Sequence, residues 1–460
     1  LPEVTPVGME IIGIFIGTLY LWTTVDPVWS SLLSVFMIGI SSYAPMNQVL
    51  ASAFGNPVVI QMFFLMIVMN AMVYNKLTAY IGRFFLTMKI NSGRPWVFTG
   101  MLMIGAMLMS AFVGPFSPIF LFWPVLYDIF ESIGIKKGEK YPTIMLILVA
   151  IATLLGFPVP PYSGNSLALI GNYAGITENM GSKVVINSAA YLAVALIYGF
   201  VSIGVIVLFC KYVLRPDVSK LKNLDVEMLK KNPLPPLNNN QKFMAISFVL
   251  YIMTMLLPSI VPNLGIMKFL SANNYGIALG YTALLACVSL DKENHETVLP
   301  FGKVLNGFAW GTFFLCTAAI LLGSVLTNEA TGISAFLNTI LTPIFSSMSL
   351  VVFYVTLLVI TLILTNICNS LVVGMLMQPV IASFCLHSGI NSAPITSLII
   401  IFVLASASVT PSASPFAAMI HGNKEWLKSG EIYKHTLMFA VIELVLVILV
   451  GIPAASILIH

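Results

Sequence analysis

The stretch 156–165, with the sequence GFPVPPYSGN, interrupts the apolar run 141–175, and the stretch 410–415, TPSASP, interrupts the apolar run 395–421. A helix broken in hydrocarbon leaves backbone N–H and C=O groups unpaired, and each such group costs several kcal/mol. Irregular backbone persists at that depth only where protein surrounds it or where it lines a cavity. The two stretches therefore predict two broken membrane helices whose interruptions meet at a polar site.

Two more apolar runs, 96–131 and 350–382, are broken at 114–118 and 365–371. Basic residues flank both ends of the first run, whereas the loops on either side of the second contain no Lys or Arg. Because short cytoplasmic loops collect Lys and Arg, each run enters and leaves on a single side of the membrane. The pattern predicts two re-entrant hairpins, one opening inward and the other outward.

The composition is that of a polytopic membrane protein. The chain is 58% hydrophobic and 8% charged, with a mean hydropathy of +0.98, whereas soluble domains are roughly 25% charged. The net charge of +4 lies in loops and indicates orientation in a membrane, with no nucleic-acid partner. Of the 21 Lys and Arg residues, all but Lys183 and Lys268 fall in the clusters 76–94, 136–140, 211–242, 292–303 and 424–434.

Placing the basic clusters in the cytoplasm fixes the direction of every crossing. The longest of them, 211–242, contains PLPP and NNN sequences and is the predicted linker between two halves. Three crossings before the first cluster put Leu1 outside the cell, and a last span at 435–457 puts the C-terminus outside as well. The predicted surroundings are the lipid bilayer of the plasma membrane.

The two halves carry the same parts in the same order: helix, hairpin, broken helix, helix. Residues match in order at a nearly constant offset of about 250 positions, with opposite predicted orientation, which indicates an inverted repeat. The fold class predicted is an all-α polytopic membrane protein, an inverted-repeat transporter with two re-entrant hairpins and two broken helices. The matching residues are Asn75 with Asn328, Pro124 with Pro379, and Gly171-Asn172 with Gly422-Asn423.

The four breaks are the candidate binding site for a small anion. Half-helix N-termini carry partial positive charge and free N–H donors, which suit a carboxylate. The alternative for any one break is a plain proline kink satisfied by neighbouring helices. The candidate substrate-binding residues are Gly114, Pro115, Ser117, Ser163, Gly164, Asn165, Ser166, Asn369, Ser370, Ser414 and Pro415.

Four further residues are candidates for coupling transport to an ion: Asn366, Ser412, His421 and Glu443. Exposed carbonyls at the breaks could hold a small cation. Glu443 lies inside the last span, where a carboxylate is costly and a functional candidate by default. It could equally be protonated or hydrogen-bonded to a neighbouring helix, and His421 could be an interfacial residue.

A membrane enzyme is the competing class. The sequence HETVL at 295–299 lacks the second His of an HExxH zinc helix. Ser163 has no His predicted at its depth that would activate it as a nucleophile. The sequence therefore predicts no enzyme, no metal site and no cofactor. A channel is the other alternative, although hairpins that open on opposite faces fit alternating access better than a fixed pore.

Over nearly its whole length the chain resembles the divalent anion/Na⁺ symporter family of INDY-type dicarboxylate transporters. The resemblance is carried by the order of hairpin, broken helix and helix in each half, by AFGNPV at 53–58, and by Trp310-Gly311. Members of that family place a Ser-Asn-Thr motif at each hairpin tip and a Thr-Pro-Pro-Asn signature in each broken helix. The corresponding positions here are Gly114-Pro115-Phe116, Asn369-Ser370-Leu371, Ser163-Gly164-Asn165-Ser166 and Ser414-Pro415-Phe416-Ala417.

The resemblance implies a secondary active transporter of C4/C5 dicarboxylates. Family tips bind Na⁺ and a substrate carboxylate, so the altered tips favour Na⁺-independent dicarboxylate exchange. The alternatives are a Na⁺-coupled symporter, a tripartite carrier's membrane subunit and a cation/proton antiporter. The resemblance also implies a homodimer with an elevator mechanism. Its predicted units are a scaffold (1–75 and 243–327), a cytoplasmic arm helix (76–95), an extracellular arm helix (328–349), the linker (211–242) and a transport domain (96–210 and 350–460).

Overall fold

The computed structural model describes residues 3–113, 116–162, 164–223, 234–290, 295–333, 335–336, 339 and 348–459. In these residues the regular structure is helical, apart from one isolated bridge between Ser289 and Thr297. The prediction of an all-α membrane protein is confirmed.

The two halves consist of helices that follow the predicted order. In the first half these are α1 (Pro6–Thr24), α2 (Pro27–Ile40), α3 (Met46–Phe54), α4 (Pro57–Tyr74), α5 (Leu77–Leu86), α6 (Pro95–Phe112), α7 (Ser117–Ser132), α8 (Lys140–Gly156), α9 (Gly164–Asn179) and α10 (Ser188–Phe209). In the second half they are α11 (Asn239–Ile260), α12 (Gly265–Ala272), α13 (Asn274–Cys287), α14 (Phe301–Leu305), α15 (Trp310–Leu326), α16 (Leu350–Thr365), α17 (Ser370–His387), α18 (Ala393–Ala405), α19 (Pro415–Gly422), α20 (Ser429–Leu446) and α21 (Ile452–Leu458).

Five helices of the described chain are long and apolar enough to cross a membrane: α4, α6, α11, α10 with its π-helical extension to Leu214, and the segment Ser429–Leu458. The predicted hairpins correspond to α6–α7 and α16–α17, and the predicted broken helices to α8–α9 and α18–α19. Of these, α8, α16, α17 and α18 are apolar helices too short to count among the five. All four breaks predicted from the sequence therefore interrupt helices.

Two short helices, α3 and α12, were not predicted from the sequence. They have nine and eight residues, too few to register as membrane spans. Helix α3 buries Val49 and Ala53, whereas α12 buries no residue and exposes Ile266 and Phe269. Helices of this length leave no long apolar run in the sequence by which they could be recognised.

Several helices begin at a proline preceded by a polar capping residue. Thr5, Asp26, Asn56 and Ser414 each accept a backbone N–H of the first turn through the side chain, and a proline follows each of them. Proline fits the first helical position because its missing N–H would be unpaired there. This local chemistry fixes where α1, α2, α4 and α19 start.

The two halves of the broken helices that precede the breaks form the centre of the molecule. Every residue of α18 is buried, and so is every residue of α8 after Lys140. Helix α8 packs against its own hairpin, α6 and α7, and α18 packs against α16 and α17. A helix that is apolar all round belongs in such a position, and α8 and α18 also contact each other.

Candidate functional site

Four helix N-termini surround one cavity of about 760 Å³. The first residues of α7, α9, α17 and α19, which are Ser117, Gly164, Ser370 and Pro415, all line it. Each of these helices starts directly after a break, so the breaks of both halves converge on this space. The remaining wall comes from α4, through Met66, Met69, Asn70 and Val73, and from α15, through Gly311, Thr312 and Leu315.

The described lining contains no Lys, Arg, His, Asp or Glu. Its polar side chains are hydroxyls and amides. Two of the amides, Asn165 and Asn369, lie at the starts of α9 and α17. The Oδ1 of Asn369 accepts the N–H of Leu371 at 3.0 Å, and the Oδ1 of Asn165 accepts the Cys316 thiol at 3.5 Å. Within the described part of the chain neither amide NH₂ donates a hydrogen bond, so both donors are available to a ligand.

Aromatic rings occupy the starts of the other two helices. Phe116 precedes α7 and Phe416 is the second residue of α19, and their ring centroids lie 5.1 Å apart. Phe157, which ends α8, lies 5.3 Å from Phe416. All three line the cavity. The starts of α9 and α17 therefore carry amides, here called the amide side of the cavity, and the starts of α7 and α19 carry rings that contact each other, here called the aromatic side.

Matching hydrogen bonds tie each hairpin to its broken helix. Ser110 Oγ donates to the carbonyl of Thr153 at 2.7 Å in the first half, and Thr365 Oγ1 donates to the carbonyl of Val403 at 2.9 Å in the second. Ser110 and Thr365 each lie in the last turn of the first hairpin helix, and their acceptors lie near the ends of α8 and α18. The two hairpins are thus built by one local plan.

The two breaks are also closed in matching ways. Ser166 Oγ donates to the Pro158 carbonyl at 3.1 Å, and Ser414 Oγ donates to the Ala407 carbonyl at 2.6 Å. In the first half Tyr191 from α10 adds a second donor to Pro158, at 3.0 Å. Carbonyls freed by each break are therefore satisfied by hydroxyl groups, as buried backbone requires.

Asn366 clamps the second hairpin to the second break. Its Nδ2 donates to the carbonyls of Leu362 and Ser406, at 2.9 and 3.0 Å. Its Oδ1 accepts the N–H groups of Ser408 and Val409, at 3.1 and 2.8 Å. All four hydrogen-bonding positions of the amide are engaged with backbone. This side chain replaces the helical hydrogen bonds that the break removes.

Further side chains of the second break and of α19 also bond backbone carbonyls in this region. Thr410 Oγ1 donates to the Asn366 carbonyl at 2.6 Å, and Ser412 Oγ donates to the Ile367 carbonyl at 3.2 Å. His421 Nε2 lies 3.0 Å from the Val409 carbonyl, so this nitrogen carries the proton. The predicted coupling residues Asn366, Ser412 and His421 thus bond to carbonyls of the second hairpin and break.

Helix α9 makes a tight contact with α15. A β-carbon on Gly323 would clash with the side-chain amide of Asn172, so a larger residue there would force this amide to shift. Asn172 Nδ2 donates to Gln378 Oε1 at 2.6 Å, and Gln378 Nε2 donates to the Leu169 carbonyl at 2.7 Å. Both amides are buried. They join α9 of the first half to α17 of the second.

The structure brings together seven of the eleven predicted substrate-binding residues in the cavity lining. They are Ser117, Gly164, Asn165, Asn369, Ser370, Ser414 and Pro415. Ser166 lies behind the lining, bonded to Pro158. Gly114, Pro115 and Ser163 are outside the described residues. Of the coupling candidates, Asn366, Ser412, His421 and Glu443 all lie outside the lining.

Glu443 is fully buried in α20, and neither carboxyl oxygen has a hydrogen-bond partner among the described residues. Tyr198 of α10 donates its hydroxyl to the backbone carbonyl of Glu443 at 3.3 Å. The hydroxyl of Ser202, one turn further along α10, is also buried without a partner in the described chain. A carboxyl group without a partner is costly in such surroundings, which makes Glu443 a functional candidate.

Sequence reasoning missed the aromatic side of the cavity and its contribution from α4 and α15. Phe116, Phe157 and Phe416 were not candidates because apolar residues inside apolar runs carry no signal of their own. Asn70 and Thr312 also line the cavity. For Asn70, a polar residue inside the predicted span 57–74, the signal was present in the sequence.

Comparison with known proteins agrees with this architecture. A model of the CitMHS family, described as citrate transporters, matches residues 18–405. The fold is similar to that of the YdaH transporter of Alcanivorax borkumensis, whose structure was described as having an unusual topology, with a TM-score of 0.63 and 13% identity over 97% of this chain and 98% of that one. Among curated protein sequences none matches the chain.

These matches decide the general class and leave the finer assignment as a prediction. At 13% identity the structural likeness concerns the fold alone. The family match covers most of the chain and is to transporters, so the protein is a membrane transporter and not an enzyme, as the sequence predicted. The closer assignment to the divalent anion/Na⁺ symporter family stays a prediction. The chain belongs to the citrate transporter (CitMHS) family.

Proposed function

We propose that this protein exchanges small multivalent carboxylates, of the C4/C5 dicarboxylate and citrate class, across the plasma membrane. The observation that carries the proposal is the convergence of four helix N-termini on one cavity. Each N-terminus carries a partial positive charge of roughly +0.5. Together they favour an anion with more than one carboxylate.

The absence of cationic side chains from the described lining fits a carrier. Helix dipoles and neutral amides attract a carboxylate without the strong, desolvated ion pair that an Arg would form. A carrier has to release its solute on both sides of the membrane. The amide donors of Asn165 and Asn369 give direction to the carboxylates while the dipoles supply the charge.

Hydrogen bonding at the second break supports exchange over Na⁺ symport. A Na⁺ ion would need several free oxygen ligands, as other hard cations do. In this structure a protein donor already engages six carbonyls at the second hairpin tip and break. They belong to Asn366, Ile367, Ser406, Ala407, Val409 and Ala413.

The packing fits an elevator-type movement. Helices α8 and α18 form a buried centre with the hairpins, whereas α4 and α15 supply the opposite wall of the cavity. The lining residues Val73, Thr78 and Gly307 lie beside the basic loops in sequence. With those loops in the cytoplasm, the cavity faces inward. The proposal includes a homodimer, which rests on the family resemblance.

Uptake into proteoliposomes tests the proposal directly. Purified protein is reconstituted, and labelled succinate and citrate are offered to vesicles that are empty or preloaded with either anion, with and without a Na⁺ gradient. We expect uptake that requires internal carboxylate and ignores Na⁺. Uptake into empty vesicles driven by Na⁺ would establish a symporter instead. Proton movement without any organic anion would indicate an antiporter, and uptake only with an added binding protein would indicate a tripartite carrier.

Asn369→Asp separates binding from folding. The aspartate keeps the cap on the Leu371 N–H, because aspartate is as good a capping residue as asparagine. It also places a negative charge at the anion site, so we expect uptake to fall about 100-fold, equivalent to roughly 2.7 kcal/mol. Asn391→Asp is the matched control: Asn391 caps the Ala393 N–H at the same 3.0 Å, is exposed and lies outside the lining. Unchanged uptake by Asn369→Asp would contradict the site.

Proton coupling is the second candidate, and the buried, unpaired carboxyl of Glu443 is the observation that favours it. Glu443→Gln retains the shape and hydrogen-bonding capacity of a protonated carboxyl but cannot exchange a proton. If Glu443 carries a coupled proton, this variant loses uptake driven by a pH gradient and retains exchange between carboxylates. If the residue has no such role, both activities stay at the level of the unmodified protein.

A further inference from the structure

The four helix N-termini at the cavity differ in what accompanies them. Those of α9 and α17 carry Asn165 and Asn369, whose amide NH₂ groups have no partner in the described chain. Those of α7 and α19 carry Phe116 and Phe416, whose rings contact each other. An anion that only bore carboxylates would meet hydrogen-bond donors on one side and desolvating rings on the other.

The aromatic side is continuous and extends along the wall. Phe157 lies against Phe416, and Phe120, one turn along α7 from Phe116, also lines the cavity with 68% of its surface exposed. The lining also includes Met66 and Met69 of α4. Methionine and phenylalanine side chains adapt to apolar groups of varied shape. The cavity therefore offers an apolar compartment next to its amide side.

The volume exceeds what a bare dicarboxylate needs. About 760 Å³ lies within the range of about 300 to 1,000 Å³ typical of pockets for drug-sized ligands. Succinate has only eight heavy atoms and would leave most of this space to water against apolar walls. A solute that filled both compartments would remove those walls from water, which is favourable in proportion to the apolar area.

We propose that the site takes carboxylates that also carry an apolar group, aryl or branched alkyl, with the carboxylates at Asn165 and Asn369 and the apolar group against Phe116, Phe157 and Phe416. The inference rests on the proposed transport of carboxylates and specifies the class of substrate. It follows from the division of the four N-termini into an amide pair and an aromatic pair. It predicts that an added ring strengthens binding, whereas a site for bare dicarboxylates would exclude it.

The test compares succinate with 2-benzylsuccinate, which differ only in the added benzyl group. Binding to the purified full-length protein is measured by the ligand-induced rise in melting temperature and by isothermal calorimetry, neither of which depends on transport. We expect 2-benzylsuccinate to bind at least about tenfold more tightly, equivalent to roughly 1.4 kcal/mol. Equal or weaker binding of 2-benzylsuccinate would overturn the inference and leave carboxylate transport intact. Failure of both ligands to bind would overturn the inference and the proposed substrate class together.

Substitutions of the rings test whether the aromatic side of the cavity causes the higher affinity for 2-benzylsuccinate. Phe116→Ala and Phe416→Leu should each reduce the ratio of the two affinities towards one, because the benzyl group loses its contacts. Phe416→Leu keeps the buried position filled, which guards against misfolding. Phe269→Ala, on the exposed surface of α12, is the control and should leave the ratio unchanged. A ratio that survives both ring substitutions would overturn the assignment to this wall.

Discussion

The two breaks follow one plan but differ in how firmly each is joined to its hairpin. In both, a hydroxyl of the second half-helix bonds a carbonyl of the break, through Ser166 and Ser414. Among the described residues, only the second break has a side chain like Asn366, which makes four hydrogen bonds to backbone. In the register that pairs Pro124 with Pro379, the corresponding residue of the first half is Ala111, which is buried and apolar.

The two halves thus share the geometry of hairpin and break but differ in what each contributes to the cavity. The first half places two of the aromatic rings, Phe116 and Phe157, on the cavity wall. The second half fixes its hairpin with polar contacts before it presents Asn369. Because a buried amide with all its hydrogen bonds satisfied specifies one arrangement, the second half holds its tip rigidly. The first half relies on packing of rings and on the hydroxyl of Ser110.

The largest loss of stability is expected from Asn366→Ala, because Asn366 is the residue in which the two breaks differ. The change removes four hydrogen bonds. The Ser408 N–H still donates to the Ser406 carbonyl at 3.0 Å, but the Leu362 carbonyl and the Val409 N–H lose their bonds to the amide, and each unsatisfied group costs about 1–3 kcal/mol. We expect the variant to express poorly or to melt at least about 10 °C lower in detergent. Fluorescence-detected size exclusion after heating measures this. A melting temperature close to that of the unmodified protein would show that the clamp is dispensable.

A smaller effect is expected from Ser414→Ala, compared with Tyr191→Phe. Within the described chain Ser414 is the one donor to the Ala407 carbonyl, and it also caps the Ala417 N–H, so its loss should cost about 1–2 kcal/mol. Tyr191 shares the Pro158 carbonyl with Ser166, so Phe at this position should cost about 0.5 kcal/mol. Denaturant or thermal unfolding of the two variants side by side checks the order. Equal losses would contradict redundancy at the first break.

The hydrogen bond between hairpin and broken helix is present in both halves, so its loss should lower stability equally in the two. Ser110→Ala and Thr365→Val each remove one hydroxyl from a matched hydrogen bond, and each should cost about 1 kcal/mol. The double variant should lose the sum, because the sites are separate. Thermal unfolding of the single and double variants provides the measurement. Unequal single losses would mean that the hairpins are less alike than their hydrogen bonds indicate.

The smallest effect concerns the loops that enter α8 and α18. The Lys136 N–H and the ammonium group of Lys220 bond the Glu139 carboxylate and hold its pKa below the usual value, whereas Asn391 in the matching loop is neutral. The ionised carboxylate therefore stabilises the fold above its unfolded pKa, and that contribution is lost as the pH falls through the lower folded pKa. Glu139→Gln should flatten the melting temperature between about pH 5 and pH 3. An unchanged profile would exclude this contribution.

The sequence predicts the breaks because Pro, Gly, Ser and Asn inside apolar runs have a direct physical meaning. Two of the residues predicted for the site, Asn165 and Asn369, line the cavity, and their role in binding stays a prediction. The sequence does not distinguish a residue that lines the cavity from one that only holds the backbone in place. Asn366 and Asn369 are three positions apart, yet Asn366 is bonded to backbone and Asn369 lines the cavity. The rings of Phe116, Phe157 and Phe416 meet only through tertiary packing, so no local sequence pattern predicts their contact.

The complete burial of α18, and of α8 beyond Lys140, has a consequence for how the protein responds to its membrane. Bilayers differ in thickness by several Å, and a helix in contact with lipid tilts or shifts to match. The helices that carry the two breaks have no such contact, so only the surrounding shell adjusts to the bilayer. The affinity of the site should therefore be the same in short-chain and long-chain lipids, while the rate of movement between states varies with lipid length.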